Sequence, residues 1–395
     1  MTAFAEVAVV LVVVALAGTV AARAGQSVIP AYIIAGVLVG PSAPTSVGGV
    51  PIAIVAETEF LRAFADLGVV LLLFFLGLHV DADRLLDDWN RVVGSGVVDF
   101  VCNYAVGVAL GVLFGFSPLE ILFLAGIVYI SSSAIVTESL LNQGWIAGRE
   151  SDPILGSLVF EDVVIAVYLT VVSSMALDGG SFADALLSLA TGFALLGAVA
   201  AVGWYATGVL ERLLAGESNE LFVLRVLGVV AAVAAVAATF GVSKGIAAFF
   251  VGVALGRTGH DERIERTLEP ACDLFSAIFF FAIGLATKAS VLAHIAGLLA
   301  VALVATIASK VVSGAVSGRI YGLGRRRSLR VGIGLIARGE FSLVLAAMAR
   351  SATVPVRFVP EFAVGYVLAT SVLGTLFVRH EPRIARLFER LGRVR

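Results

Sequence analysis

Predominantly apolar runs of about 20 residues recur along the whole chain of 395 residues. An α-helix of that length spans roughly 30 Å of hydrocarbon. Hydrophobic residues make up 59% of the chain and charged residues only 14%, whereas a soluble domain carries about a quarter charged residues. The runs are continuous and do not alternate, so they predict helices and exclude the strands of a closed barrel. We therefore expect an all-α polytopic membrane protein.

Thirteen predicted transmembrane helices account for these runs. They cover residues 4–22, 28–40, 60–80, 92–115, 118–143, 153–176, 183–209, 220–240, 243–256, 270–287, 290–314, 331–351 and 360–379. Together they form a predicted transmembrane domain of residues 1–380, followed by a short basic cytoplasmic tail of residues 381–395.

Basic residues are divided unequally between the two ends of the predicted helices. Nineteen lie in the tail or in loops after odd-numbered helices, and five lie on the opposite side. Loops rich in Lys and Arg stay in the cytoplasm. We therefore expect a multi-pass plasma-membrane protein with its N-terminus outside and its C-terminus in the cytoplasm. The formal net charge of −2 gives no support for a nucleic-acid partner.

Two halves of the chain share a pattern. The second and ninth predicted helices contain the glycine-flanked segments 36–40 and 252–256, and the third and tenth contain the similar segments 74–78 and 281–285. The pattern predicts two six-helix repeats joined by one linker helix, with boundaries at residues 1–177, 178–218 and 219–380. A single connecting helix inverts the second repeat, as in many secondary transporters.

In each repeat an aspartate precedes a matching glycine by eleven residues, Asp66 before Gly77 and Asp273 before Gly284. We interpret these acids as residues near helix N-termini, where the helix dipole favours them. We do not expect them to bind the transported ion.

Several charged side chains fall where the predicted helices cross the bilayer, and such groups usually face a cavity or a partner. They are Asp99, Glu138, Glu161, Asp162, Arg225, Lys310, Arg338 and Glu340. Adjacent helix positions point about 100° apart, so one carboxylate of the Glu161–Asp162 pair can face an ion cavity while the other meets a neighbouring helix. The alternative is a static ion-pair network that only holds the helices together.

Two of the predicted helices contain residues that favour a break. The fifth carries Ser131, Ser132 and Ser133, and the twelfth carries Arg338-Gly339-Glu340 at the equivalent place in the second repeat. Unwound backbone is tolerated at membrane depth where it lines a cavity. The alternative is that the serines hydrogen-bond to the preceding turn of a continuous helix.

These motifs together resemble the cation:proton antiporter-2 family, over essentially the whole chain. The resemblance rests on the segment 35–41, the segment 74–78, the serines 131–133, the acidic pair 161–162 and the segment 338–341. The Kef-type potassium/proton antiporters are the most similar branch, and sodium/proton antiporters of the same fold come next. The resemblance implies exchange of a monovalent cation for protons, with potassium favoured and sodium as the alternative.

The resemblance also assigns roles to individual residues. Asp162 matches the functional carboxylate, and Glu161 matches a variable position at which related proteins carry Asp or Gln. Glu is neither, which leaves the ion and the stoichiometry open. These two acids and the three serines at 131–133 form the candidate ion- and proton-binding set. The remaining matches, Lys310, Arg338 and Glu340, are expected to compensate charge, and no resident metal or cofactor is expected.

For the whole molecule, the resemblance implies a homodimer in which a core of helices 4–6 and 11–13 slides past a panel of helices 1–3 and 8–10, as an elevator. It leaves room for a separate cytoplasmic regulatory subunit. A channel would not need a titrating carboxylate opposite a lysine. A bile-acid-type symporter would not need the acidic pair and Lys310. No nucleophile elbow or metal-binding motif indicates an enzyme.

Stoichiometry depends on the partner of Lys310. If the lysine releases a proton when a cation arrives, two protons leave for each cation and transport is electrogenic. If it holds Glu161 permanently, only Asp162 exchanges its proton and transport is electroneutral. Glu is one methylene longer than Asp and reaches a neighbouring helix more easily, so we favour the electroneutral case.

The predicted orientation can be tested by thiol labelling of intact cells after Cys102 and Cys272 are replaced by Ala. Ser42→Cys should react with a membrane-impermeant reagent because it lies in an outer loop, and Arg326→Cys should be protected until the cells are opened. The reverse pattern would show that the orientation is wrong.

Overall fold

The computed structural model describes residues 3–41, 55, 59–78, 89–177, 218–239, 244–256 and 258–392. The seventh predicted span, residues 183–209, lies outside the described residues, and so does nearly all of the predicted linker. The domain boundaries themselves therefore stay predictions.

Helices make up nearly all of the described chain. In chain order they are α1 Ala3–Arg23, α2 Val28–Val39, α3 Glu59–Leu78, α4 Trp89–Leu113, α5 Pro118–Tyr129, α6 Ser133–Asn142, α7 Ser151–Leu177, α8 Asn219–Thr239, α9 Lys244–Gly256, α10 Asp261–Leu285, α11 Ala289–His294, α12 Ala296–Ile320, α13 Arg325–Gly334, α14 Glu340–Arg350, α15 Val359–Arg379 and α16 Glu381–Gly392. A short 3₁₀ turn, Trp145–Ala147, precedes α7.

The predicted spans have helical counterparts wherever the chain is described. Nine helical segments within the described ranges are long and apolar enough to cross a membrane, and Val28–Val39 and Ala247–Gly256 are shorter apolar helices. The all-α polytopic fold is therefore confirmed. The short α2 and α9 correspond to the two glycine-rich spans that occupy equivalent positions in the predicted repeats.

Several predicted boundaries were wrong, in part because helices continue past the ends of their apolar runs. Helix α10 begins at Asp261 and runs through Pro270, although its predicted span began at residue 270. Helix α12 covers Ala296–Ile320 in place of 290–314. The interpretation of Asp66 and Asp273 as acids near helix N-termini is wrong. Asp273 lies in the middle of α10 because that helix begins at Asp261, and Asp66 lies inside α3, where it pairs with Lys244 at 3.2 Å.

The helices pack as two bundles. We call α1, α2, α3, α8, α9 and α10 the panel, in which α3 packs against α9 and α10 and α2 packs against α10. We call α4–α7 and α12–α15 the core, in which α12 packs against α4 and α13, and α4 packs against α5. The two bundles meet more sparsely, where α2 approaches α15, α7 approaches α9 and α10 approaches α14.

Glycines of the repeated segments let the panel helices approach each other closely. A Cβ on Gly36 would lie 2.1 Å from the carbonyl oxygen of Phe281, and one on Gly252 would lie 2.0 Å from that of Phe74. Helices α2 and α10 are thus related to each other as α9 and α3 are. This reciprocal packing is what two inverted repeats produce, and close approach through small residues is typical of membrane helices.

The basic tail begins as a helix that is held against the core. Glu381, at the start of α16, accepts hydrogen bonds from Arg326 at 2.8 and 3.1 Å and from Arg330 at 3.3 Å. Burial acts to raise the pKa of the Glu381 carboxyl, but these hydrogen bonds outweigh burial and hold that pKa below its usual value. The carboxylate therefore stays ionised and anchors α16 beside the N-terminus of α13.

Candidate ion-binding site

Two helices of the core break and cross beside each other. The first ends at Tyr129 and resumes at Ser133, and the second ends at Gly334 and resumes at Glu340. The two extended segments are joined by a hydrogen bond of 2.9 Å from the backbone N–H of Ser132 to the carbonyl of Ala337. Both breaks predicted from the sequence are confirmed, and the continuous serine-containing helix is excluded.

Gly339 allows this crossing. A Cβ at this position would lie 2.3 Å from the Oγ of Ser132, a distance at which no side chain fits. The glycine of the segment 338–340 is therefore required by the close approach of the two chains. Its backbone φ of −157° lies outside the left-handed region, and it is the close approach to Ser132 that selects glycine here.

Arg338 lies fully buried at the negative ends of two half-helices. Its Nε donates to the carbonyl of Val128 at 2.9 Å, and its Nη1 donates to that of Leu335 at 2.8 Å. These carbonyls belong to the C-terminal ends of α5 and α13, which lack partners within their own helices and carry partial negative charge. The guanidinium therefore both satisfies and neutralises the two broken ends.

Glu340 occupies the opposite, positive ends. Its Oε2 accepts from the Ser132 hydroxyl at 2.8 Å and its Oε1 from the Ser133 hydroxyl at 2.9 Å. Ser133 begins α6 and Glu340 begins α14, so the carboxylate lies at two helix N-termini, where the dipole favours negative charge. Arg338 and Glu340 thus compensate the partial charges of the helix ends at the crossing, Arg338 at the C-terminal ends and Glu340 at the N-terminal ends.

Lys310 joins the crossing to the rest of the core. Its Nζ lies 2.7 Å from Oδ2 of Asp99 and 3.1 Å from Oε1 of Glu161, and all three side chains are buried to 99% or more. The predicted pairing with Glu161 is observed. A pairing between Lys310 and Asp162 is not seen.

Asp99 is the member of this cluster that the sequence-based site lacked. Its Oδ1 accepts from the Ser313 hydroxyl at 2.8 Å and from Nδ2 of Asn103 at 3.0 Å. Asn103 in turn accepts from the Ser309 hydroxyl at 2.7 Å. The spacing of Asp99 and Asn103, one helical turn apart on α4, was the available signal, because it places two polar groups on one face of an apolar helix.

Glu161 and Asp162 have different environments. Glu161 accepts from the backbone N–H of Ser131 at 2.5 Å and from its hydroxyl at 3.0 Å, in addition to Lys310. Asp162 is half-buried, and within the described part of the chain its carboxylate has neither a hydrogen bond nor an ion pair. The structure therefore places one acid of the pair in a network and leaves the other unengaged.

Further polar atoms near the crossing have no hydrogen-bond partner among the described residues. They are the hydroxyls of Tyr129 and Ser157 and the Nη2 of Arg338, all buried. Ser157 lies one turn before Glu161 on α7, and Tyr129 is the last residue of α5. A buried polar group without a partner is costly by about 1–3 kcal/mol. The two hydroxyls are therefore suited to contact water or a hydrated cation, and the Nη2 of Arg338, which can only donate, is suited to contact water.

Comparison with known proteins finds a family model and relatives that match nearly the whole chain. The sequence profile described as "Sodium/hydrogen exchanger, transmembrane" matches residues 9–380. The K(+)/H(+) antiporter subunit KhtU of Bacillus subtilis (strain 168) is 36% identical over 389 residues, which cover 98% of this chain and 95% of the relative.

Two further proteins are similar over most of their length. The ammonium/H(+) antiporter subunit AmhT of Alkalihalophilus pseudofirmus is 27% identical over 348 residues, covering 87% of this chain and 86% of the relative. The solved structure of the sodium proton antiporter MjNhaP1 from Methanocaldococcus jannaschii at pH 8 superposes with a TM-score of 0.71 at 17% identity, covering 96% of this chain and 98% of that one. This superposition shows that the fold is shared.

The buried lysine cluster predicts a large effect of removing its cation. Lys310→Met leaves Asp99 and Glu161 buried without compensation, and breaking a buried pair in this way costs about 3–5 kcal/mol. Replacing Lys310 and Asp99 together, by Met and Asn, should recover part of that loss. The measurement is the unfolding temperature of the purified protein.

Lys244→Met is the matched control. Lys244 pairs with Asp66 at 3.2 Å, but the two side chains are 54% and 62% exposed, and an exposed pair contributes about 0–1 kcal/mol. Equal unfolding temperatures for Lys310→Met and Lys244→Met would contradict a stabilising role for the buried cluster.

Proposed function

We propose, on the premise that the chain belongs to the sodium/hydrogen exchanger family and is a cation/proton antiporter, that Asp162 is the group at which a monovalent cation and a proton replace each other. One observation carries this proposal. In the described part of the core, the charged groups at the crossing are engaged by hydrogen bonds or ion pairs, and Asp162 is the acid that is not. It lies next to Glu161 and beside the broken helices.

A single unengaged carboxylate supplies the chemistry of exchange. Its ionised form binds a cation, its protonated form does not, and the two forms exclude each other. Buried hydroxyls and unwound backbone near the crossing offer further oxygen ligands to an ion that has lost part of its water. We include Ser131, Ser132 and Ser133 among these candidates, although their hydroxyls also bond Glu161 and Glu340.

We favour potassium as the transported cation. The relative that is 36% identical is named a potassium/proton antiporter subunit, and the 27% identical relative is named for ammonium. Potassium and ammonium ions are similar in size, and both are larger than sodium. Sodium remains the alternative, since the structure of shared fold belongs to a sodium proton antiporter.

An elevator movement of the core against the panel is the proposed transport step. Within each bundle the helices pack extensively, while the contacts between the bundles are sparser. The crossing, Lys310 and Asp162 all belong to the core. A core that moves as one body would carry the ion site with all of its compensating charges in place.

The geometry supports electroneutral exchange of one cation for one proton. Lys310 pairs with both Asp99 and Glu161. These two carboxylates stabilise its protonated form, and neither of them is Asp162. The core then carries the same net charge whether Asp162 binds a proton or a monovalent cation. A lysine that paired with Asp162 would instead have to release its proton when the cation arrives.

A homodimer formed through the panel, a plasma-membrane location and a separate cytoplasmic regulatory subunit are further proposals from the family resemblance. The relatives KhtU and AmhT are both named as antiporter subunits, which supports a search for a partner chain. The mass of the purified protein in detergent tests the dimer directly.

Asp162→Asn should abolish exchange in proteoliposomes, because an amide cannot alternate between a proton and a cation. Proton flux should be read with a pH-sensitive dye while potassium, sodium, lithium and rubidium are titrated separately, and potassium should half-saturate the wild-type protein at the lowest concentration. Asp66→Asn is the control, since Asp66 is exposed on the panel. Wild-type rates in a folded Asp162→Asn protein would refute the assignment.

Electroneutral exchange moves no net charge, so the proton flux should not depend on a compensating potassium current through valinomycin. Vesicles with equal potassium on both sides and an imposed pH gradient should show the same initial rate with and without valinomycin, after subtraction of the leak in protein-free vesicles. If valinomycin accelerates the flux severalfold in wild-type vesicles, transport moves net charge and the assignment of Lys310 as a permanent partner is wrong.

A further inference from the structure

Arg350 forms a polar link between the panel and the core. It is the last residue of α14, in the core, and its Nη1 donates to the carbonyl of Ala286 at 2.7 Å. Its Nη2 lies 3.5 Å from the hydroxyl of Thr287. Both acceptors directly follow α10, the panel helix that ends at Leu285.

The acceptor is well suited to a cation. Carbonyls at the C-terminus of a helix lack partners within the helix and carry partial negative charge. Ala286 is also the residue from which the chain leaves the panel and crosses through α11 to the core helix α12. A guanidinium bound here therefore ties α14 to the start of the connection between the two bundles.

Arg357 and Lys244 provide a comparison, because each forms its contacts within its own bundle. The backbone N–H of Arg357 donates to Glu120 at 2.7 Å and its Nε lies 3.6 Å from the same carboxylate, and both residues belong to the core. Lys244 and Asp66 both belong to the panel. A sliding movement of the core would leave these pairs intact, whereas it would separate Arg350 from Ala286.

The opposite end of the bundles is open. A cavity of about 400 Å³ lies between the turn that joins α1 to α2, in the panel, and the core helices α6 and α15. Its lining includes Arg23 and Arg379, and it extends as deep as Ile135 and Thr375. Ile135 donates its backbone N–H to the Ser132 hydroxyl at 3.3 Å, so the cavity reaches within one helical turn of the crossing.

We propose that Arg350 is a latch that stabilises the state with the Arg23–Arg379 cavity open, and that the latch releases when the core moves to open the other side. This inference rests on the proposed elevator movement. Arg350 does not bind the ion; it positions the core relative to the panel. By the predicted orientation the latch lies at the outer face and the cavity at the cytoplasmic face.

The test is a distance measurement between the bundles at the latched end. Spin labels are attached to Phe60→Cys in the panel and Val354→Cys in the core, both at exposed positions, after Cys102 and Cys272 are replaced by Ala. Labelled protein is diluted with unlabelled protein so that each measured pair lies within one chain.

The first distance population is the one that matches this structure, and the second is the one that appears when the core moves against the panel. Arg350→Gln should raise the ratio of the second to the first by about three- to tenfold, the range expected for losing an exposed charged hydrogen bond. Arg350→Lys keeps the charge, and its ratio should fall between those of the wild-type protein and Arg350→Gln. Arg357→Gln is the matched control and should leave the ratio unchanged. The unfolding temperatures of the Gln variants should agree, since the latch affects the balance between states and not folding.

Exchange is measured on the same proteins to separate two failures. A wild-type protein that exchanges ions, together with an Arg350→Gln distance distribution that matches Arg357→Gln, overturns the latch and leaves the proposed function standing. A wild-type protein without cation-dependent proton flux overturns the proposed function. A raised second population in Arg350→Gln alone supports the latch.

Discussion

Backbone polar groups cannot be left unsatisfied at membrane depth, and the structure of the core depends on how the two broken helices meet this constraint. Breaking them exposes two C-terminal ends and two N-terminal ends in the middle of an apolar domain. Arg338 donates hydrogen bonds to carbonyls at the two C-terminal ends. Glu340 lies at the two N-terminal ends and accepts hydrogen bonds from serine hydroxyls there. The crossing is therefore stable only as a set, because the second broken segment supplies both charges, Arg338 and Glu340, that compensate the ends of all four half-helices.

The need to satisfy buried polar groups also explains why Asp162 differs from Asp99 and Glu161. Lys310 engages Asp99 and Glu161, and hydroxyl and amide groups surround that cluster. A network that is satisfied in this way holds its charges constant. Asp162 lies outside this network, and for that reason we propose that it is the group whose charge changes when a proton or a cation arrives. In this proposal, Glu161 provides static pairing and the adjacent Asp162 provides the exchange chemistry.

Packing of the panel follows a different principle. Its helices are held by backbone contact at glycines such as Gly36 and Gly252, where even a methyl group would collide with a carbonyl of the neighbouring helix. Contacts of this kind resist sliding within the panel. The interface between panel and core is sparser, which is compatible with the proposed movement of the core against a rigid panel.

The sequence by itself determined the class of fold, the approximate spans, the two breaks and the acidic pair, because apolar length, glycine position and buried charge all have local signatures. It did not determine the helix ends, since α10 continues as a polar helix beyond its apolar run. It favoured Glu161 as the partner of Lys310 but did not identify the second partner, Asp99. Asp99 is more than 200 residues away in the chain, and only tertiary packing decided that α4 and α12 lie side by side and that Asp162 lies outside their ion pair.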